Sequence, residues 1–386
     1  MATVFDVIKC IFWGYSVKTV DQDTYEKICH HSINSLAAPI LSQLEMPAEI
    51  RKEWKKKIMQ QVVFNTQCSD LQHHLPITVP YIILKGTSAA QYYPYPEYRT
   101  SGDIDIITRR EDYDQAYQDL LQDGYVIDKE LERETGFIKN GVLVELHRCF
   151  ASLNDPKHAE YLDDLIIANI NPSHVLPDEV NGLVLLEHIN QHLEKGIGLR
   201  QIIDWMLFVD KYLSEEKWPS FRKHTENTGL ENLAVVTTKM CEKYLGLPHR
   251  QWSEQADEEL SDQLLDYIMA CGDFGVIRSE NIGTGENVFY YGKTPKILFQ
   301  LLQERGLENW KAARKHAWLR PFAWLYQIFR YATKGLKRQS AHAELQKEYK
   351  SAKQRIKMFE ELGVCQSSKG LSIYKDGKYT KRRISL

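Results

Sequence analysis

Residues 76–150 restrict the possible folds more than any other part of the sequence, because their pattern differs from that of the flanking segments. The β-rich runs "TVPYIILKG" and "DIDIIT" are followed by a helical stretch at about 111–123 and by "YVIDKELE". Asn140-Gly141 then separates "GFIK" from "VLVELHRCF", and such a pair between alternating runs is the strongest short hairpin signal. The sequence therefore predicts a small mixed unit with the order strand, helix, strand, helix, strand, hairpin.

The segments on both sides of this unit have apolar residues at three- and four-residue spacing, which is typical of amphipathic helices. A unit of about 75 residues is near the lower limit for independent folding, so we expect helices to cover its sheet. The predicted fold class is α+β, with a small mixed-sheet core between helical regions. The predicted parts are an N-terminal helical segment (1–75), an α/β core (76–154), a helical domain that completes a cleft (155–340), and a C-terminal helix with a flexible basic tail (341–386).

Composition and charge argue against several classes of protein. The net charge of −3 provides no global basic field for non-specific binding of nucleic acid. The seven cysteines are scattered and form no C-x-x-C pair, which favours reduced thiols in a cytoplasmic protein over disulfides or structural zinc. No apolar run approaches the ~20 residues of a transmembrane helix. We therefore expect a folded cytoplasmic protein without a transmembrane segment.

Three acidic residues in the strand-rich segment indicate a cation site. Asp103 and Asp105 alternate with isoleucines, so both carboxylates point to one face, ~7 Å apart along the strand. Glu145 lies in "VLVELH", where a carboxylate within an apolar strand is costly unless it is paired or bound to metal. Mg²⁺ prefers such hard oxygen ligands together with substrate phosphates. A solvated strand edge is the alternative interpretation of D-x-D alone.

The stretch Lys85-Gly86-Thr87-Ser88 connects the first strand to a short helix. Backbone N–H groups at a helix start attract phosphate, the hydroxyls add donors and the lysine adds a positive charge. An ordinary strand-to-helix turn is the alternative. Arg99, just before the aspartates, would either bind phosphate or pair with Glu97.

Several other residues are candidates for a cleft around the acids. His147 shares a strand face with Glu145, where it would act as a base or hydrogen-bond a metal ligand. His192, Arg200 and Asp204 lie on predicted helices, and the spacing of Arg200 and Asp204 allows them to pair. A structural ion pair is the alternative role for that pair.

The segment "RPFAWLYQIFRYATKGLKRQ" combines aromatic residues with basic ones. A basic amphipathic helix can lie on a membrane surface or contact an anionic substrate. The alternative is a buried aromatic face with solvated charges. The basic residues are Arg320, Arg330, Lys334, Lys337 and Arg338.

The order of a strand, a "KG" turn, a helix, "R-x-x-G-D-I-D-I" and a later acid in "V-E-L-H" resembles the polymerase-beta-type nucleotidyltransferase superfamily. The sequence is most similar to its branch of uncharacterised bacterial nucleotidyltransferases. The similarity includes "HLEKGIGLRQIIDW" and, more loosely, "WLRPFAWLYQIFRY", and so covers most of residues 75–335. This resemblance implies that Asp103, Asp105 and Glu145 are catalytic metal ligands and that Gly86 and its neighbours bind phosphate. Thr87 and Glu145 stand where the superfamily more often has serine and aspartate.

These features together predict a nucleotidyltransferase that requires Mg²⁺ or Mn²⁺. It would transfer a nucleoside monophosphate from an NTP, with ATP as the first candidate, to an acceptor hydroxyl and release pyrophosphate. The acceptor would be a small molecule, a peptide or a protein. The alternatives are a phosphotransferase that uses the same metal site, a non-catalytic nucleotide-binding module, and a toxin-like enzyme that modifies protein or tRNA.

Overall fold

The computed structural model has helices at both ends and a mixed sheet between them, which confirms the predicted α+β class. The helix predicted from "TPKILFQLLQERG" lies largely outside the described part of the chain. The structure describes residues 2–273 and, with gaps, parts of 299–336, 353–364 and 372–381.

The chain forms two compact units. The first consists of Met1–Ile277 with Glu360–Arg383 and contains both sheets. The second consists of Arg278–Phe359 with Ile384–Leu386. The four-part division made from the sequence stays a prediction.

The main sheet follows the predicted order of elements. Its strands are β1 (Tyr81–Leu84), β2 (Asp103–Thr108), β3 (Val126–Glu130), β4 (Glu134–Lys139) and β5 (Val142–His147). They lie side by side in the order β1-β2-β5-β4-β3. β2 runs parallel to β5 and antiparallel to β1, whereas β5, β4 and β3 form an antiparallel meander.

A tight turn at Asn140-Gly141 sets the register of β4 and β5. The two residues have φ angles of 54° and 78°, and a type I′ turn requires positive φ at both positions. The turn pairs Lys139 with Val142, and counting back along β4 pairs Glu134 with His147. This register brings Glu134 to the carboxyl end of β5.

One face of the sheet packs against two helices, α3 (Ala48–His73) and α5 (Tyr113–Gln122). Ile104 and Ile106 point into this core because side chains alternate along a strand. Ala116 and Leu120 of α5 pack against them. The acidic residues of β2 therefore face away from this core.

The N-terminal segment is helical, as predicted. α1 (Val4–Trp13) and α2 (Gln22–His30) precede α3, which begins directly after Pro47. From α3, Asn65 donates hydrogen bonds to the carbonyl oxygens of Glu97 and Arg99 and accepts one from the N–H of Ser101. These bonds fix the loop that leads into β2.

Helices also follow the sheet. They are α6 (Pro156–Ala168), α7 (Asp178–Lys195), α8 (Leu199–Lys211), α9 (Trp218–Thr228), α10 (Glu231–Met240) and α11 (Glu258–Cys271). The short helix α4 (Gly86–Ala90) lies earlier, between β1 and β2. α8 is buried from Leu199 to Val209, although it contains Arg200 and Asp204. Charged side chains inside a helix of this kind must find partners. Within the described part of the chain, the helices are too short or too polar to cross a bilayer.

The chain end forms a second sheet, in which β6 (Ser372–Lys375) pairs with β7 (Lys378–Lys381). The prediction of a flexible tail is therefore wrong for these residues. The hydroxyl of Tyr379 donates to Asp163 Oδ2 at 2.7 Å and to the carbonyl oxygen of Ala151 at 2.8 Å. Asp163 is buried, so these bonds attach the hairpin to the core of the first unit.

Replacing Tyr379 with phenylalanine is expected to lower the free energy of unfolding by about 1–3 kcal/mol, since a buried carboxylate loses a donor. Urea denaturation of the full chain measures this change. Tyr15→Phe is the matched control because Tyr15 is exposed. Equal midpoints for the two variants would show that the hairpin is not anchored through this hydroxyl.

In the second unit, a 3-10 turn at Ala317–Phe322 leads into α12 (Ala323–Leu336). The interpretation of a buried aromatic face is wrong for some of these residues, whereas Trp324 and Tyr326 are half-buried and pack against other rings. Trp318, Phe322 and Phe329 are all exposed. Lys337 and Arg338 lie outside the described residues.

Candidate active site

The parallel pairing of β2 and β5 brings the predicted acids together. Asp105 lies opposite Glu145, and Asp103 lies opposite Leu143. Residues opposite each other in neighbouring strands point to the same face of a sheet, so all three carboxylates share the face away from the α5 core. His147 lies two residues beyond Glu145 on that face.

Asp105 is the centre of the polar contacts on this face. Its Oδ1 atom lies 2.7 Å from Lys85 Nζ and 2.8 Å from His147 Nε2. The Asp105 side chain is only 1% exposed. The other ring nitrogen of His147, Nδ1, lies 3.5 Å from Glu134 Oε2. The histidine therefore lies between acids from three neighbouring strands.

Asp105, Glu145 and His147 form a group that could bind a metal ion. Each offers one ligand atom, and these atoms lie within 4.8 Å of one another. Two carboxylates and an imidazole suit a divalent cation, and the nitrogen ligand is better suited to Mn²⁺ than to Mg²⁺. Asp103 is on the same face but outside this group. Sequence reasoning expected His147 to act as a base or to hydrogen-bond a metal ligand, and in this structure its Nε2 atom lies within hydrogen-bond distance of Asp105.

If Asp103, Asp105 and Glu145 were all ionised, their negative charge would exceed the single positive charge of Lys85. Burial and the charge of Asp105 raise the pKa of Glu145 to about 8. The same two causes raise the pKa of Asp103. Burial opposes ionisation of Asp105 too, but Lys85 and the hydrogen bond with His147 hold its pKa well below the usual range. A bound cation would relieve the repulsion among these carboxylates.

The backbone at Lys85 explains how its side chain reaches the acids. Leu84 pairs with Asp105, so a regular strand would direct the next residue to the opposite face. Lys85 instead has φ 48° and ψ −135°, a left-handed conformation that favours glycine. Such strain costs about 1–3 kcal/mol and is often found at functional sites. Here it accompanies the contact between Lys85 Nζ and Asp105.

The hydroxyls predicted to bind phosphate contact neighbouring helices in this structure. Thr87 Oγ1 donates to Gln72 Oε1 at 2.6 Å, and Ser88 Oγ donates to Asn181 Oδ1 at 2.7 Å. These bonds tie α4 to α3 and α7. A Cβ atom at Gly86 would make only an ordinary 3.6 Å contact with the Asp103 carbonyl oxygen, so crowding does not require glycine there.

Arg99 forms a buried ion pair with Asp204 of α8. Its Nε and Nη2 atoms donate to the two carboxylate oxygens at 2.7 and 2.6 Å. The hydroxyl of Tyr93 donates to the same carboxylate at 2.7 Å. The protein partner of Arg99 is therefore Asp204 and not the predicted Glu97, while phosphate binding by Arg99 stays a prediction. The pair fixes α8 against the loop before β2.

The family assignment comes from the sequence as a whole. The model of a family described as "Uncharacterised nucleotidyltransferase" matches residues 13–246, which is more than half of the chain. The chain belongs to this family. The match includes the acidic strands, Lys85 and the pair of Arg99 with Asp204. No curated protein and no solved structure matches the chain.

In this nucleotidyltransferase, α7 and α8 place further polar side chains near the acids. The Nη2 atom of Arg200 lies 3.3 Å from Asp273 Oδ2, and its Nη1 atom donates to the carbonyl oxygen of Thr100. The partner predicted for Arg200, Asp204, is instead bound to Arg99. Burial, together with the charges of Arg200 and Lys85, lowers the pKa of His192 to about 4. The imidazole beside these cations is therefore neutral.

Sequence analysis of this nucleotidyltransferase did not identify Glu134, His188 or Asn181 as part of the site. His188 is buried, and its ring makes an edge contact with that of His192 at 4.6 Å. Burial and the neighbouring charges of His192 and Lys85 lower its pKa. The "EHINQH" spacing places His188 one helical turn before His192, a pair that can bind zinc, but it does not link His188 to the acids. The hairpin register could have identified Glu134.

Proposed function

We propose that this family member is a Mg²⁺- or Mn²⁺-dependent enzyme that transfers a nucleoside monophosphate from an NTP to an acceptor hydroxyl and releases pyrophosphate. The observation that supports this most is the convergence of Asp105, Glu145 and His147 within 4.8 Å, with Asp103 on the same face. ATP is the first candidate for the nucleotide. The scattered free cysteines support a cytoplasmic location.

In this proposal Asp105, Glu145 and His147 would hold the cation, and Asp103 would complete the acidic face. The cation, when bound, supplies Lewis-acid neutralisation of phosphate charge and lowers the pKa of the acceptor hydroxyl. Because the pKa of Glu145 is raised to about 8, its carboxyl is largely protonated at neutral pH, and a cation would bind there with release of that proton. His147 would serve as a ligand, and Glu134, 3.5 Å from its Nδ1 atom, would orient the ring.

Lys85 is the proposed contact for the triphosphate. Its ammonium group lies beside Asp105 on the acidic face and would neutralise phosphate oxygens of a nucleotide bound there. Gly86, Thr87 and Ser88 would add backbone and hydroxyl donors, and the bonds to Gln72 and Asn181 hold α4 in place for this role. Arg99 contributes by fixing α8.

The acceptor would bind between the acidic face of the sheet and α7 with α8. His192 and Arg200 would supply the polar side of this space, since the charge of Arg200 lowers the pKa of both Asp103 and His192. Asp204 holds Arg99 and so sets the position of α8. Catalysis would then rest on positioning and on neutralisation of charge.

Product analysis with labelled nucleotides tests this function. The purified full chain is incubated with a small-molecule and protein extract, Mg²⁺ or Mn²⁺, and each NTP labelled at the α- or γ-phosphate. Nucleotidyl transfer predicts that α-label joins an acceptor while γ-label leaves as pyrophosphate. Transfer of γ-label to an acceptor would show a phosphotransferase. Saturable nucleotide binding without transfer of either label would show a non-catalytic module.

A further inference from the structure

The α12 helix presents its apolar residues to the outside. Ala323 and Gln327 are 0% and 1% exposed, whereas Leu325, Ile328 and Phe329 are 46%, 43% and 68% exposed. A helix on the surface of a soluble protein shows the reverse distribution, with apolar residues inward. The side chain of Gln327 is buried while those of Ile328 and Phe329 are exposed, which indicates that the exposed side of the helix contacts an apolar partner.

This face continues into the 3-10 turn before the helix. Trp318 is 71% exposed and Phe322 is 50% exposed. Phe322, Leu325 and Phe329 are spaced by three and four residues, so they lie along one side. We call Trp318, Phe322, Leu325, Ile328 and Phe329 the aromatic face. Exposed apolar patches of this kind mark interaction surfaces.

Specific contacts hold α12 in this orientation. The amide of Gln303 donates to the carbonyl oxygen of Arg320 and accepts from the N–H of Trp324. The Tyr326 ring stacks on that of Trp310 with centroids 5.0 Å apart and planes 6° apart. The inward side of the helix is therefore already bound, which leaves the aromatic face outward.

The charged residues in the sequence around the aromatic face are all basic. Residues 309–343 contain no aspartate or glutamate, although the whole chain has a net charge of −3. A stretch of this kind provides a local positive potential within a chain whose net charge is slightly negative. Its cations are Lys311, Arg314, Lys315, Arg320, Arg330, Lys334, Lys337 and Arg338.

We propose that the aromatic face and this acid-free stretch attach the protein to the surface of an anionic phospholipid bilayer. Trp and Phe side chains enter the interface while Lys and Arg bind anionic headgroups. The attachment is peripheral, because none of the helices in the described ranges could cross a membrane.

Other occupants fit these observations less well. A second copy of the chain would bring two stretches of like charge together, which opposes association. Single-stranded nucleic acid binds through aromatic stacking, and Leu325 and Ile328 in the middle of the face offer no ring for it. Anionic lipid is the partner that uses both the aliphatic and the basic residues.

Vesicle sedimentation of the full chain tests the proposal. Binding is expected to vesicles of mixed phosphatidylglycerol and phosphatidylcholine, and to fall as salt is raised. Binding to phosphatidylcholine alone is expected to be weak. Trp318→Ser with Phe322→Ser should weaken partition about tenfold or more, because the loss of apolar area lowers interfacial affinity. Tyr15→Ser with Val126→Ser is the matched control, because both residues are exposed in the first unit.

Fluorescence gives an independent result on the same vesicles. Brominated phosphatidylglycerol is expected to quench tryptophan emission, and Trp318→Phe should remove most of the quenching while binding persists. Three outcomes would overturn the proposal. They are equal partition of the double variant and wild type, self-association that the double variant abolishes, and displacement of the protein from vesicles by tRNA but not by excess lipid.

Discussion

Replacing Asp105 with asparagine is expected to lower nucleotidyl transfer by about 10²- to 10³-fold or more, the scale of losing one preorganised electrostatic group at a reaction centre. The change keeps the shape of the side chain and removes only its charge. That charge is contacted by both Lys85 and His147 and belongs to the candidate metal group. Transfer of α-label from the preferred NTP, measured at saturating Mg²⁺ or Mn²⁺, checks the prediction.

The matched control for this change is Asp128→Asn. Asp128 lies on β3 and is exposed, so the same substitution in the same sheet should leave transfer unchanged. Asp103→Asn is a second comparison, because burial and Asp105 make its ionised form unfavourable. This variant should be less active, but without divalent cation it should be as stable as wild type or more so. Nucleotidyl transfer by Asp105→Asn at the wild-type rate would show that these acids do not take part in the reaction.

Removing one partner of the pair between Arg99 and Asp204 is expected to give the largest loss of stability. The two side chains are 2% and 1% exposed and are joined by two hydrogen bonds. Arg99→Met leaves the Asp204 carboxylate buried beside Tyr93 without its cation, which typically costs about 3–5 kcal/mol. The urea midpoint of the full chain, or its expression in soluble form, measures the effect.

Lys27→Met is the control for the buried pair. Lys27 and Asp23 form an exposed pair at four-residue spacing, and its loss should cost about 0.5 kcal/mol or less. The double variant Arg99→Met with Asp204→Asn should be more stable than the sum of the single changes predicts, because no charge remains unpaired. Equal losses for Arg99→Met and Lys27→Met would contradict the role given to the buried pair.

Local signals in the sequence were sufficient to predict the sheet. Strand alternation placed Asp103 and Asp105 on one face, and the Asn140-Gly141 turn fixed the hairpin. Counting back from that two-residue turn would also have placed Glu134 opposite His147. These features depend on backbone geometry over a few residues, so the sequence contains them directly.

The contacts that complete the site depend on residues that are distant in the sequence. Arg99 and Asp204 are 105 positions apart, and the helical spacing of Asp204 suggested a nearer partner in Arg200. The sequence predicted a connection between strand and helix at Lys85, but nothing local predicted its positive φ, which lysine disfavours. The basic composition of the chain end suggested a flexible tail. The hairpin there is held by the contact of Tyr379 with Asp163, a residue of a helix distant in the sequence, so no local signal predicted it.

Binding of Mn²⁺ by the purified full chain is the most direct test of the proposed metal site. The signal of free Mn²⁺ is followed by electron paramagnetic resonance, with and without a non-hydrolysable NTP analogue. We expect saturable binding that Mg²⁺ displaces in wild type and Asp128→Asn, and binding at least about tenfold weaker in Asp105→Asn and Glu145→Gln. Equal binding by all four proteins, or no binding by wild type with the nucleotide analogue present, would contradict a metal site at these acids.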